Sequence, residues 1–451
     1  MECKTFIRLK FCLLITILII VSCSRHNEIS IRKFPYPYRA AFTICSDIDD
    51  TNSIEEFLAI QKFINGIDST EIGRGLGLEI GNSFWMFNQF YEMCKDTTTT
   101  IEENMKYFTV STPDFGISYF DGLSDTLSPY ADIIAKFIRA GYIDCLHSYG
   151  HFKADEFDKL YAVKAINQLE KDSLYVDVFI DHGGKENTNN IGNIYYYLGD
   201  NPECKEYHTD LTLSYGIKFL WWGQVTHCIG QDGKFSPFNQ IKQIVEFFQD
   251  RIFHPEYEYY HDNKLVHITT LNNGQKIFEF VRFINLLGYY DIADEQFLIN
   301  QIGPKVIDKL IHNEGYLLHY THLGANQGEP YLTASTLKAL YYIKQMYDDG
   351  ELFVTTTSKL LNYYVHQKYL NWHYDSFHDS VNIIIDNIKN EVEGEYIPNV
   401  QQLEGITFYV PENKIINLYI KDKRVNFVMN KKDYKGHKSI SIQWRKLKFP
   451  L

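Results

Sequence analysis

Two short stretches of the sequence carry side chains that could bind a metal ion. An acidic cluster at 47–50 follows the apolar run 40–44, which predicts a buried strand. His147 and His151 follow a second strand-like run and stand four residues apart, about one helical turn. Neutral imidazoles beside a carboxylate are typical ligands of a zinc ion that keeps one position open for water. The two stretches therefore predict a metal site at strand ends, with hydrolysis as its chemistry.

Each stretch alone also has a plainer interpretation. Acidic residues after a strand often form turns or cap a helix, and the helical apolar spacing of 54–64 starts just beyond the cluster. Two histidines four residues apart can be unrelated surface residues. The prediction of a shared site therefore depends on the two stretches occurring together.

Together the stretches resemble the motifs of the polysaccharide deacetylase family, which includes peptidoglycan, chitin and xylan deacetylases. The family's first motif is an acid pair, in which one acid acts as the base and the next binds the metal. In an Asp-x-Asp register, Asp47 resembles the base and Asp49 the ligand. In an adjacent register, Asp49 is the base and Asp50 the ligand. Strand alternation places Asp47 and Asp49 on one face and favours the first register, but both stay open.

The family's second motif, His-Ser/Thr-x-x-His, is matched in full at 147–151. The resemblance implies that His147 and His151 bind Zn²⁺ or another divalent transition metal. The family also places a histidine, the general acid, at the end of a late strand. His319 and His322 compete for that role, and His322 is preferred because it lies nearer the end of its predicted strand.

One family feature is missing from this sequence. The segment 181–184 stands where the family usually carries an arginine that orients the base, and it contains no arginine. Asp181 and His182 are expected either to replace that arginine in catalysis or to form a glycine turn with a hydrogen-bonded histidine. The resemblance thus implies a divergent hydrolase that removes N- or O-linked acetyl groups from a polysaccharide or cell-envelope glycan.

Two other classes of function stay open. One is a catalytically inactive, lipid-anchored glycan-binding protein, which the missing arginine favours. The other is a metal-free glycosidase on a similar barrel, using two carboxylates such as Glu79 and Asp181. Stoichiometric zinc in the purified protein would favour the hydrolase over both.

The N-terminus predicts export and a lipid anchor. Residues 1–22 join a basic start to the apolar run 11–21, the pattern of a signal peptide that is too short to span a membrane. The Ile-Val-Ser-Cys ending resembles a bacterial lipobox, which implies a lipid on Cys23 and attachment to the outer membrane or cell surface. An ordinary signal peptide with an incidental cysteine is the alternative. The net charge of −13 argues against nucleic acid as a partner.

The remaining pattern predicts an α/β fold in two parts. Strand-like and helical segments alternate with polar residues at the strand ends, which is typical of a parallel barrel. We expect a tether at 23–38, a distorted (β/α) barrel at 39–371, of the deacetylase type that the resemblance implies, and a small β-rich domain at 372–451. An Asn-Gly turn between apolar runs in 265–283 predicts a β-hairpin inserted in the barrel.

Overall fold

A computed structural model describes residues 29–48, 51, 53–89, 117–153, 155–183, 187–192, 194–253, 259–285, 294–324 and 330–451. The predicted signal peptide, Cys23 and the acids Asp49 and Asp50 lie outside these residues. Within the described ranges, no helix is long and apolar enough to cross a membrane.

The described ranges contain nine α-helices and 22 strands. The helices are α1 (Ile54–Asn65), α2 (Ala131–Ala140), α3 (Lys159–Lys171), α4 (Thr209–Tyr215), α5 (Pro237–Phe253), α6 (Leu298–Ile302), α7 (Pro304–Asn313), α8 (Ala334–Asp348) and α9 (Thr357–Lys368). The strands are β1 (Ser30–Arg32), β2 (Ala40–Asp47), β3 (Gly81–Phe84), β4 (Phe87–Asn88), β5 (Ile143–His147), β6 (Gly150–His151), β7 (Val178–Ile180), β8 (Phe219–Trp221), β9 (Val225–Thr226), β10 (Val266–Thr270), β11 (Lys276–Phe280), β12 (Arg282–Phe283), β13 (Tyr316–Thr321), β14 (Leu352–Val354), β15 (Leu370–Ser376), β16 (Ser380–Asn390), β17 (Gly394–Tyr396), β18 (Thr407–Tyr409), β19 (Ile415–Ile420), β20 (Lys423–Arg424), β21 (Val428–Met429) and β22 (Ser439–Ser441).

The chain forms two compact units. The larger unit comprises Pro37–Val365, Asn390–Gly394 and Arg445–Leu451, and the smaller unit comprises the described residues up to Tyr36, His366–Lys389 and Glu395–Trp444. The smaller unit thus begins at His366, ahead of the expected boundary at 372. It also takes in part of the expected tether, which forms β1 and pairs with β18.

The larger unit is built on a curled sheet with the strand order β10-β11-β8-β7-β5-β3-β2-β13, and β14 also pairs with β2. Every neighbouring pair is parallel except β10 with β11. The predicted mixed α/β class is therefore confirmed. In the described part of the chain β10 and β13 do not pair with each other, so the sheet is a curled half-barrel.

The predicted hairpin is present but is not an insertion. Strands β10 and β11 are antiparallel, and the Leu271 N–H donates to the Gln275 carbonyl at 2.8 Å across the turn. Strand β11 then pairs in parallel with β8. The hairpin therefore extends the main sheet, because its second strand continues the parallel order.

Two buried apolar clusters hold this sheet between helices. One includes Phe137 of α2 and Leu169 of α3 together with residues of β5, β7 and β8. The other includes Phe42 of β2 with Leu310 of α7 and Leu340 of α8. Every residue of β2 is buried, as expected for a parallel strand covered on both faces.

The parallel direction of the strands brings several chain segments to one edge of the sheet. Asp47 ends β2, His147 ends β5, His182 follows β7 and His322 follows β13. The carboxyl ends of neighbouring parallel strands lie at the same edge, where open α/β sheets bind their ligands. This edge carries the candidate site.

The smaller unit contains two small sheets. One has the strand order β1-β18-β22-β21 and is antiparallel throughout. The other has the order β15-β16-β19-β20, with β17 beside β16, and its β16–β19 pair is parallel.

Candidate functional site

Asp47 stands at the centre of the candidate site. Its Oδ1 accepts a hydrogen bond from Ser83 Oγ at 2.5 Å, and its Oδ2 lies 3.9 Å from His147 Nδ1 and 3.6 Å from His322 Nε2. Burial opposes ionisation of Asp47, but His147, His322 and Arg282 outweigh it and hold the pKa of this carboxyl well below its usual range. An ionised carboxylate therefore faces two histidines at neutral pH.

Three histidines continue from Asp47 in a row. His147 Nε2 lies 3.3 Å from His182 Nδ1, and His182 Nε2 lies 3.1 Å from His151 Nδ1. Burial, reinforced by His147, lowers the pKa of His151 to about 4 and holds that of His182 well below its usual range. Both imidazoles are neutral at neutral pH, the form in which histidine binds a metal or relays a proton.

Trp85 forms one wall of this row. Its ring centroid lies 5.0 Å from that of His182 and 5.9 Å from those of His147 and His151. The indole is buried and follows β3 directly. It therefore limits both the movement of the three imidazoles and the access of water to them.

A tight turn between two strands, and not a helix, brings His147 and His151 together. His147 ends β5 and His151 lies in β6, which pairs with β4. Ser148 and Gly150 between them have positive φ angles of 45° and 127°. A Cβ at Gly150 would lie 1.9 Å from the Phe87 carbonyl oxygen, so this position requires glycine. The helical turn expected between His147 and His151 is wrong. The two rings nevertheless lie on either side of the His182 ring.

The structure places His322, and not His319, beside Asp47. His322 follows β13 directly, and its side chain is 12% exposed. His319 is fully buried, and its Nδ1 lies 3.2 Å from the Phe283 carbonyl oxygen. Burial lowers the pKa of His319 to about 4.

The two residues expected to replace the missing arginine, Asp181 and His182, have different surroundings. His182 joins the histidine row, and its main chain is held by Asn190 through the His182 N–H and carbonyl. Asp181 Oδ1 accepts from the Ile191 N–H at 2.9 Å. Burial raises the pKa of Asp181 well above its usual range.

Arg282 is a site residue that no sequence pattern indicated. Its side chain is 1% exposed, and its guanidinium carbon lies 3.9 Å from the Trp221 ring centroid and 4.6 Å from that of Tyr320. From there its charge helps to lower the pKa of Asp47. No motif surrounds it. A distant part of the chain thus brings an arginine to the site.

Ser83 was also missed, although a signal for it existed. In the parallel register of β2 with β3, Asp47 stands directly beside Ser83. Strand pairing predicted from the sequence would have suggested the neighbour, but a lone serine in a short strand carries no motif of its own.

The structure does not bring the alternative glycosidase pair together. Glu79 lies before the start of β3 and accepts from Thr355 Oγ1 at 2.9 Å, whereas Asp181 follows the end of β7. Because the strands are parallel, the two carboxyl groups lie at opposite ends of the sheet.

Of the predicted metal ligands, His147 and His151 both border His182, while Asp49 and Asp50 lie outside the described residues. Across the described ranges, no group of three or more His, Cys, Asp or Glu side chains is arranged to hold a metal ion. A scan against protein-family models and searches of curated proteins and of solved structures found no match to this chain.

Proposed function

We propose that the protein is a metal-dependent hydrolase that removes N- or O-linked acetyl groups from a polysaccharide or cell-envelope glycan. The resemblance of its motifs to those of polysaccharide deacetylases suggests the substrate class. The main support is the position of Asp47 Oδ2, 3.9 Å from His147 Nδ1 and 3.6 Å from His322 Nε2. Acyl transfer to water needs a base for the water and an acid for the leaving group, and this cluster offers both.

His147, His151 and Asp49 are the residues that would hold a zinc ion, with Asp50 in place of Asp49 in the adjacent register. The donor chemistry fits, because burial keeps the His151 imidazole neutral and therefore able to bind a metal. A bound zinc ion supplies a water of lowered pKa and polarises an acyl carbonyl.

The chain's own residues divide the remaining work. Asp47 Oδ2 accepts the proton of the attacking water, while the Ser83 hydroxyl fixes the orientation of the carboxylate through Oδ1. His322, which is partly exposed, protonates the departing nitrogen or oxygen of the glycan. His182 keeps the two predicted ligand rings in position, and Trp85 restricts water around them.

Zinc content and acetate release, measured on the full chain, test this proposal. The native protein should carry stoichiometric zinc and release acetate from at least one of acetylated chitooligosaccharide, acetylated xylan and peptidoglycan. His147→Ala and His151→Ala should each lose zinc and keep a native circular dichroism spectrum. His312→Ala, at an exposed histidine of α7, is the matched control and should keep both zinc and activity. Full zinc occupancy in both site variants would contradict the assignment, and metal-free native protein that binds glycans would favour the binding protein.

The same two measurements separate the two registers of the acid motif. If Asp47 is the base, Asp47→Asn keeps zinc and loses turnover, Asp49→Asn loses zinc, and Asp50→Asn is mild. If the adjacent register holds, Asp49→Asn keeps zinc and loses turnover, and Asp50→Asn loses zinc. Three active, zinc-loaded variants would reject the deacetylase proposal.

We also propose that a lipid on Cys23 attaches the protein to the cell envelope. Cys23→Ala should move the protein from the membrane fraction to the soluble fraction. Unchanged sedimentation would remove the lipid anchor from the proposal.

A further inference from the structure

A cavity lies beside the β10–β11 hairpin, at the opposite end of the strand order from β2, which carries Asp47. It has a volume of about 390 Å³. Its lining residues are Gly192, Asp200, Leu220, Trp222, Tyr259, Tyr260, Thr269, Thr270, Leu271, Asn272 and Glu279. Two of these side chains are acidic, three are aromatic and none is basic. This composition differs from that of the histidine row and points to a different ligand.

The two acids of the cavity have hydrogen-bonding capacity to spare. Asp200 is 2% exposed and Glu279 is 1% exposed. Asp200 Oδ2 accepts from the Asn272 N–H at 2.9 Å. Asp200 Oδ1 and Glu279 Oε1 have no hydrogen-bond partner in the part of the chain that the structure describes. Buried acceptors are seldom left unpaired, so each of these two oxygens can accept a donor that the described residues do not place within hydrogen-bond distance.

The cavity also has no basic side chain among its described lining residues. Burial raises the pKa of Glu279 to about 8, and burial likewise raises that of Asp200 above its usual range. The charges of Asp200 and Glu279 help to raise the pKa of Asp181, so the three carboxyl groups lie close enough to interact electrostatically. His267, which stacks on Tyr260, is already paired with Asp262. A bound cation would relieve the electrostatic cost of ionising the carboxyl groups.

The aromatic lining distinguishes an organic cation from a metal ion. Trp222 and Tyr259 stack with their ring centroids 5.8 Å apart and their planes 9° apart. The faces of such rings attract ammonium groups and cover apolar carbon skeletons. A small metal ion would gain little from them, because it binds oxygen, nitrogen or sulfur ligands.

We propose that this cavity binds a small organic cation with a primary ammonium group, such as an amino sugar. Its N–H groups donate to Asp200 Oδ1 and Glu279 Oε1, and its carbon skeleton packs on Trp222 and Tyr259. The site takes no residue from the Asp47 cluster, so it does not depend on the proposed hydrolysis.

Calorimetric titration of the full chain at pH 6.5 tests this inference. The probes are D-glucosamine and D-glucose, which share one ring and differ by the ammonium group, with ethanolamine as a smaller amine. Glucosamine should bind at least tenfold more tightly than glucose. Glu279→Gln keeps the shape of the side chain but cannot ionise to pair with an ammonium group, so it should weaken glucosamine binding at least tenfold with an unchanged or higher melting temperature.

Two further variants control this experiment. Glu246→Gln alters another buried carboxyl, which lies outside the cavity and accepts from the His227 N–H at 2.6 Å, and it should bind glucosamine like the native protein. His147→Ala should also bind normally, which separates this site from the proposed hydrolase. Should Glu279→Gln fail to fold, Asp200→Asn takes its place with the same expected loss.

Three results would overturn the inference. Equal affinity for glucose and glucosamine would indicate a site for neutral polyols. If neither glucosamine nor ethanolamine binds, the cavity is not a site for ammonium groups. Native affinity in the folded Glu279→Gln or Asp200→Asn variant would show that the bound amine lies elsewhere.

Discussion

Two serine–aspartate pairs at opposite ends of the parallel sheet have similar geometry and different surroundings. At the carboxyl end, Ser83 Oγ donates to Asp47 Oδ1 at 2.5 Å; at the amino end, Ser358 Oγ donates to Asp177 Oδ1 at 2.6 Å. The second oxygen of Asp177 accepts from Asn362 Nδ2 at 2.8 Å. The second oxygen of Asp47 instead faces two histidines at 3.6 and 3.9 Å.

The difference separates a carboxylate with a donor on each oxygen from one whose second oxygen stays available, as the proposed base requires. Asp177 receives a donor on each oxygen from the first turns of α9, and this arrangement ties the helix to the sheet. Asp47 keeps one oxygen beyond ordinary hydrogen-bond distance of its histidines, so a water or substrate group can use it. The two ends of the sheet therefore differ in whether both carboxylate oxygens receive a hydrogen bond, and not in the type of residue.

Asp47→Asn is expected to have the largest effect. The amide still accepts the Ser83 hydrogen bond but cannot accept a proton, so acetate release should fall by at least about 100-fold. The melting temperature should change little. Asp177→Asn, which makes the same change at the amino end, should keep native turnover. Full activity in Asp47→Asn would remove the base from the site.

Asp144, at the amino end of the parallel sheet, should make the stability of the fold depend on pH in a definite direction. Its Oδ2 accepts from the Ser358 N–H at 2.6 Å, and burial raises its pKa to about 7, with Asp177 adding to the shift. The folded protein thus holds a proton that the unfolded chain releases near pH 4. The free energy of unfolding should therefore fall as the pH rises from about 4 to about 7, by up to about 4 kcal/mol from this group.

Asp144→Asn removes this titration and should flatten the decline. Melting temperatures at pH 5, 6, 7 and 8 measure it, and at pH 8 the variant should be at least as stable as the native protein. Parallel curves for the two proteins would mean that Asp144 ionises normally in the folded state.

Asp177→Ala should destabilise the fold without touching the site. It leaves Ser358 and Asn362 without their shared acceptor, so we expect a loss of about 2–3 kcal/mol in the free energy of unfolding. Urea denaturation measures this loss, with Glu170→Ala at an exposed position of α3 as the control. Zinc content and turnover should stay native. A loss no larger than that of the control would contradict the structural role.

Local signals explain which parts of the fold and site were predictable. The apolar run before Asp47 predicted β2, the Asn-Gly turn predicted the β10–β11 hairpin, and nearness to a strand end selected His322 over His319. Each of these signals lies within a few residues of the feature that it predicts.

The features that were missed depend on contacts between distant segments. The Ser83–Asp47 hydrogen bond joins residues 36 positions apart, and Arg282 reaches the site from beyond the hairpin. The pairing of β11 with β8 and of β1 with β18 likewise depends on how the whole chain packs. Hydrophobic periodicity records which face of a segment is buried but not which segment covers it.

Removing each serine hydroxyl should give the smallest effects and the sharpest contrast. Ser83→Ala takes away the hydrogen bond that orients Asp47, so turnover should fall about tenfold, equivalent to about 1.4 kcal/mol, while the melting temperature stays near native. Ser358→Ala should cost about 1 kcal/mol of unfolding free energy and keep native turnover, because its main-chain N–H still donates to Asp144. Acetate release and urea denaturation on both variants make the comparison. If Ser83→Ala instead lost stability and kept full turnover, the Asp47 carboxylate would be a structural acceptor like that of Asp177, and the reactive role would have to lie elsewhere in the histidine row.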